Sequence, residues 1–171
     1  MRTREAHNPA SNESRGTKVL LMRHASAGER LPSLAVDRER SLDEKGRRDA
    51  GLLPSALRDF PIDRIVTSPH RRCLETVEPI TRVRGLEVEC SEALAPDGDR
   101  RDVLRLLETM PDSTLLCTHR EAFERVFDGE IAAEKGGTWV VEMRDGRPVP
   151  VEYLPPPSAA PRPRTARARA H

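Results

Sequence analysis

Apolar and polar positions along this 171-residue chain fall into short blocks. Val19-Leu20-Leu21-Met22 is continuous rather than alternating, the pattern of a strand covered on both faces. It stops at Arg23-His24. A second run, Arg64 to Thr67, stops at Ser68-Pro69-His70-Arg71-Arg72, and a third, Thr114 to Thr118, stops at His119. Leu86 to Val88 reads as a further short strand. Thr138 to Met143 and Val149 to Tyr153, joined through Asp145-Gly146, read as a hairpin.

Helical periodicity fills the gaps between these runs. From Asp43, the positions Ala50, Leu53, Leu57 and Phe60 make one face, with Pro54 expected to kink or shorten the helix. Ser68-Pro69 predicts a capped helix start, with Cys73, Val77 and Ile80 inward and Pro79 straining the far end. Asp97-Gly98-Asp99 opens a helix carrying Val103, Leu104, Leu107 and Met110. Another follows His119, with Ala122, Phe123, Val126 and Phe127. Ser26 to about Ser41 reads as a polar loop. Strands alternating with helices predict a three-layer α/β/α sandwich on a mainly parallel sheet with an antiparallel edge pair. No internal repeat is visible.

Composition bounds the folded part. Residues 1–16 are polar and aperiodic, and 155–171 form a Pro/Ala/Arg tract without a large apolar side chain. Both are expected to be disordered tails flanking one domain at 17–154. The last tract holds four arginines and no acid, and residues 1–16 three arginines against two glutamates. The overall charge of +1 therefore leaves the domain near −4. With only five aromatic residues as well, a nucleic-acid-binding body is disfavoured. The three cysteines, Cys73, Cys90 and Cys117, lack CxxC spacing, which argues against a zinc site or disulfide framework. No stretch reaches a membrane span and no signal-peptide core is seen, so a cytoplasmic protein is expected.

The chemistry gathers where the strands end. An open α/β sheet builds its site at the carboxyl ends of its strands. Arg23 and Arg72 can each grip phosphate oxygens with a planar fork, and Arg72 falls in the first turn of a helix. Of His24 and His119, one can act as a nucleophile on phosphorus while the other, if protonated, stabilises the equatorial charge. There is no GxxxxGK[ST] loop and no paired carboxylate nearby, so neither a P-loop nor a metal centre is expected, and no cofactor.

These residues resemble a family. Leu21-Met22-Arg23-His24-Ala25 resembles the R-H-G motif of the histidine phosphatase superfamily, with its phosphoglycerate-mutase-like fold. Ser68 to Thr76 resembles its S-P-x-x-R-[AC]-x-x-T motif, and Thr118-His119 its late histidine. Arg40-Ser41-Leu42 with Gly46, and Ala93 to Asp99, are similar to stretches of the small SixA-type phosphohistidine phosphatases. Lys135 to Val140 is more like the phosphatase half of actinobacterial Nudix–phosphatase fusions.

The resemblance implies a metal-independent phosphatase working through a phosphohistidine. His24 would attack phosphorus, and Arg23, Arg72 and His119 would clamp the phosphoryl group. Arg40 and Ser68 are candidate substrate-binding residues, though Ser68 also reads as a cap and Arg40 equally as a loop ion pair. Glu92 is the candidate general acid, with Asp97 and Glu121 as rivals; Lys135 is a further candidate contact, and His70 is given no role. Ala25 in place of the usual glycine is expected to restrict the turn, and Arg120 to recharge the pocket mouth. Without a clear acid, leaving groups that depart unprotonated are favoured: protein phosphohistidine or a nucleotide-type anhydride over a sugar phosphate. The expected partner is thus a phosphorylated small molecule or phosphohistidine protein, not a nucleic acid or membrane. Two alternatives remain: a phosphomutase or phosphotransferase of the same fold, and a non-catalytic phospholigand-binding module.

Overall fold

The computed structural model describes residues 16–157. The expected tails, 1–16 and 155–171, fall almost wholly outside the described residues. The elements are β1 (Lys18–Arg23), α1 (Leu34–Arg38), α2 (Glu44–Ala56), β2 (Arg64–Thr67), α3 (Arg71–Arg84) and β3 (Val88–Cys90). After a 3-10 turn at Glu92–Leu94 come α4 (Arg100–Thr109), β4 (Thr114–Thr118), α5 (Arg120–Val126), β5 (Thr138–Arg144) and β6 (Arg147–Leu154). The sheet order is β3-β2-β4-β1-β5-β6. Its first four strands run parallel, and β5 and β6 are antiparallel.

The continuous apolar runs are explained by two covered faces. On β1, Leu20 and Met22 join one core with Ala50 and Leu53 of α2 and Cys73, Val77 and Ile80 of α3. Val19 and Leu21 point the other way, to Val103 and Leu107 of α4 and Phe123 and Val126 of α5. On β4, Leu115 and Cys117 divide from Leu116 in the same manner. Period-two alternation thus splits each run between two helical layers, as a three-layer α/β/α sandwich requires.

Three local expectations are corrected. The helix after Ser68 starts at Arg71 with His70 as its N-cap residue, so Ser68 is not the cap. Pro79 does not end α3, which continues to Arg84 and stops at Gly85 in the left-handed conformation (φ 66°). The buried face of Cys73, Val77 and Ile80 outweighs the one lost helical bond. Because the helix runs long, Leu86 is used in its closing turn, where its N–H donates to Thr81, and β3 begins two residues late. The polar loop contains α1, whose only buried residue is Asp37; no apolar periodicity could announce it. Among the described residues no helix is long and apolar enough to cross a membrane.

Candidate active site

Strand pairing brings the three run-ends to one level. Arg23 lies opposite Thr118 in the parallel β1–β4 ladder, and Thr67 opposite Cys117 in β2–β4. The ladder extends one step beyond the strands: His24 N–H donates to Thr118 O at 3.0 Å, and Ser68 N–H to Cys117 O at 2.9 Å. His24, Ser68 and His119 therefore leave three adjacent strands side by side. Thr76 of α3 ties the helix to this edge, donating to Arg72 O at 2.6 Å and accepting from Ala25 N–H at 3.0 Å. Gly46 allows a second close approach, since a Cβ there would meet Ser26 O at 1.9 Å.

A cavity of about 330 Å³ opens at this edge, lined by Arg23, His24, Gly28, Arg30, Arg40, Arg72, His119, Arg120, Glu121 and Lys135. A larger hollow of about 500 Å³, beside Gly16, Lys18, Phe60 and Thr114, holds none of the strand-end motifs. The chemistry, not the size, marks the site.

The imidazoles of His24 and His119 meet edge to face, with ring centroids 5.2 Å apart. His24 Nδ1 donates to Ala25 O at 2.7 Å, which fixes the tautomer and leaves Nε2 with its lone pair. Burial, aided by Arg72 and Arg23, lowers the His24 pKa from 6.5 to about 3, against the opposing pull of that hydrogen bond. The ring is thus neutral at ordinary pH, as a nucleophile must be. His119 Nε2 bonds Ser68 Oγ at 2.8 Å and touches Cys73 Sγ at 3.5 Å. Burial first, then His24 and Arg72, push its pKa far below the ordinary histidine value.

Arg72 is 1% exposed, its Nη1 donating to Asp37 O at 2.8 Å and its Nη2 pairing with Asp37 Oδ2 at 3.2 Å. Arg23 donates through Nη1 to Ala133 O at 2.8 Å. Among the described residues, four buried side-chain nitrogens lack a partner: Arg23 Nε, Arg72 Nε, His119 Nδ1 and His70 Nδ1. All four gather at this one edge, where a buried polar group without a partner costs about 1–3 kcal/mol. They are suited to an incoming oxyanion. No group of three His, Cys, Asp or Glu side chains among the described residues is placed to hold a metal ion.

The remaining sequence candidates divide. Arg40 lines the cavity and is also the loop ion pair, with Nε to Asp37 Oδ1 at 2.8 Å and Nη1 to Ala27 O and Gly28 O. Ser68 is fully buried and reaches the cavity only through His119. Glu92 does not join the site: it is exposed, its carboxylate is taken up by Arg38 at 2.9 Å, and it lies outside the cavity wall. Asp97 is not in the wall either. Glu121 is the lone carboxylate in the wall; burial pushes its pKa up, but its own helix-start amide and Arg30 outweigh this and hold it low. Lys135 and Arg120 reach the mouth, Arg120 paired with Glu124 at 3.2 Å. Arg71, not Arg72, pairs with Glu75. Ala25 is not among the residues of positive φ, so its backbone conformation does not call for glycine.

The sequence reading gave His70 no role and did not single out Asp37. His70 is buried, its ring 4.9 Å from that of His119, and only its position beside Arg72 hinted at this. Asp37 had no signal in the local pattern at all.

Residues 19–96 match the model of the histidine phosphatase superfamily (branch 1). An 8-oxo-(d)GTP phosphatase of Mycolicibacterium smegmatis is 30% identical over 156 residues, covering 81% of this chain and 48% of that protein. The chain thus spans about half the length of that curated relative. The SixA protein of Agrobacterium tumefaciens superposes with a TM-score of 0.66 at 23% identity, over 84% of this chain and 100% of that one. The protein histidine phosphatase SixA in complex with tungstate gives 0.68 at 22% identity, over 82% and 97%. At such identities the likeness is one of fold.

Proposed function

We infer that the chain is a member of the histidine phosphatase superfamily (branch 1), whose model matches residues 19–96, and that it hydrolyses a phosphoryl bond through a phosphohistidine on His24. The observation that carries the reading is the pinned tautomer: Nδ1 is spent on Ala25 O, so Nε2 is the free nucleophile beside His119, the buried Arg72 and the half-buried Arg23. Nε2 attacks phosphorus, the N–P bond forms, and the bond to the leaving group breaks with its electron pair going to that group. Arg23, Arg72 and His119 take up the negative charge that grows on the equatorial oxygens. Water then attacks phosphorus, the N–P bond breaks, its pair returns to Nε2, and phosphate departs.

Proton handling selects the substrate class. Glu121, the carboxylate of the cavity wall, is held ionised and so serves as acceptor for the proton of the attacking water rather than as donor to an alkoxide. Leaving groups that depart without a strong acid fit this site best. Protein phosphohistidine or a nucleotide-type phosphoanhydride is therefore favoured over a sugar phosphate. The names of the SixA structures and of the mycobacterial relative point to the same two classes.

The test is trapping of labelled phosphate on the protein, with turnover of phosphohistidine peptide, nucleoside diphosphate and sugar phosphate measured side by side. Wild type should carry alkali-stable, acid-labile label and His24→Ala none. Label persisting on His24→Ala, or preference for the sugar phosphate, would defeat the reading.

A further inference from the structure

Arg72, at 1% exposure, and Arg40 do not reach the cavity unaided; both end on one carboxylate, that of Asp37, which is itself 3% exposed. Asp37 Oδ1 accepts from Arg40 Nε at 2.8 Å and from Leu31 N–H at 2.9 Å. Its Oδ2 pairs with Arg72 Nη2 at 3.2 Å, while its backbone carbonyl accepts from Arg72 Nη1 at 2.8 Å. Burial pushes the Asp37 carboxyl up, but Arg40, the Leu31 amide and Arg72 outweigh this and keep it ionised.

We infer that Asp37 is a positioning residue for the phosphoryl clamp, setting the orientation of Arg72 and Arg40 toward the anion that His24 attacks. A guanidinium has two usable edges. Asp37 takes the end-on edge of Arg72, both Nη atoms, from backbone and side chain together. What is left is the side edge, whose Nε has no partner. A planar fork held at one end can present the other only in one direction, so Asp37 decides where the phosphate oxygens must lie.

The same carboxylate secures the segment that carries it. α1 is only five residues long and buries nothing but Asp37, so its place on the cavity rim depends on these ion pairs and not on apolar packing. Arg40 also fastens the far side of the rim through Ala27 O and Gly28 O. Asp37 thus couples the loop after His24 to the first turn of α3. The counter-charge has a second effect: burial and the nearby Arg40 disfavour the charge on Arg72, and Asp37 opposes them.

The inference rests on the proposed phosphoryl site, and its test is chosen to separate the two. Inorganic phosphate binding to the full chain is measured by calorimetry, with no turnover needed, for wild type, Asp37→Asn and Asp37→Glu, and for Glu78→Gln as an exposed carboxylate control. Asp37→Asn should weaken phosphate binding about tenfold or more, the factor for one misplaced charge-assisted hydrogen bond. Asp37→Glu, which keeps the charge but shifts it by one methylene, should show only part of that loss, and Glu78→Gln should bind phosphate as wild type does. With turnover, the loss should fall mainly on KM. If Asp37→Asn fails to fold, Asp37→Glu carries the test alone, and phosphate affinity equal to wild type then overturns the role. Asp37→Asn with lowered Tm but phosphate affinity within twofold of wild type overturns it equally. Phosphate binding that behaves as expected in a protein that hydrolyses nothing would instead defeat the proposed activity and leave the positioning role standing.

Discussion

Replacing His24 with glutamine should flatten the acid limb of the stability profile. The folded ring titrates at about 3 against an ordinary 6.5, so between these values the unfolded chain holds a proton that the folded chain refuses. Stability is then greatest above the unfolded pKa and is lost as pH falls through it toward the folded one. Across the full window the shift corresponds to about 4–5 kcal/mol at 1.36 kcal/mol per unit. From about pH 7.5 to about pH 5 the loss due to His24 alone is about 2 kcal/mol. Urea unfolding in a non-phosphate buffer measures it, since wild type should lose roughly 1 M more in midpoint than His24→Gln over that range. His70 and His119 remain in both proteins, so the difference in slopes reports His24 together with its influence on the neighbouring His119. Adding inorganic phosphate should restore wild-type stability at low pH, because a bound anion favours the charged ring and binds only the folded state. Parallel stability profiles for wild type and His24→Gln would refute the reasoning.

Other outcomes follow from the same geometry. Arg72→Lys, which removes the fork but not the charge, should lower turnover by ~10²–10³-fold in steady-state assays, with phosphate binding weakened as well. Glu121→Gln should slow release of the phosphohistidine in a single-turnover experiment and leave its formation intact, while Glu92→Gln should match wild type in both steps. Gly137→Ala should destabilise the protein, because a Cβ there would sit 2.3 Å from the Tyr153 hydroxyl; combining it with Tyr153→Phe should recover part of the loss in thermal melts. Leu116→Ala, a truncation at a fully buried position of β4, should cost about 2–5 kcal/mol in denaturant unfolding.

Local pattern was enough for most of the frame. Val19–Met22, Arg64–Thr67 and Thr114–Thr118 declared themselves because a strand covered on both faces has no polar face to show. The dipeptides that end them placed Arg23, His24, Ser68 and His119 at the carboxyl edge, since a chain must leave a strand where its apolar run stops. Errors arose where tertiary contacts overruled a local signal. Pro79 would end an isolated helix, yet packing of Val77 and Ile80 carries α3 five residues further and displaces β3. Ser68-Pro69 looks like a cap and first turn, yet the Ser68 hydroxyl bonds His119 across the sheet.

What the chain dictated alone was periodicity: which segments are strands, which are helices, and which chemical groups stand at their ends. The relation among those groups was decided only by the folded molecule. Asp37 reaches Arg72 across 35 positions, and Glu121 lines the cavity while Glu92 stays outside its wall, because a carboxylate's surroundings depend on which cation or cavity the fold sets it against. The His24 ring is held neutral for the same reason: burial first, then the guanidinium groups of Arg72, Arg23 and Arg40, set its protonation, and two of those three are brought to it only by the fold.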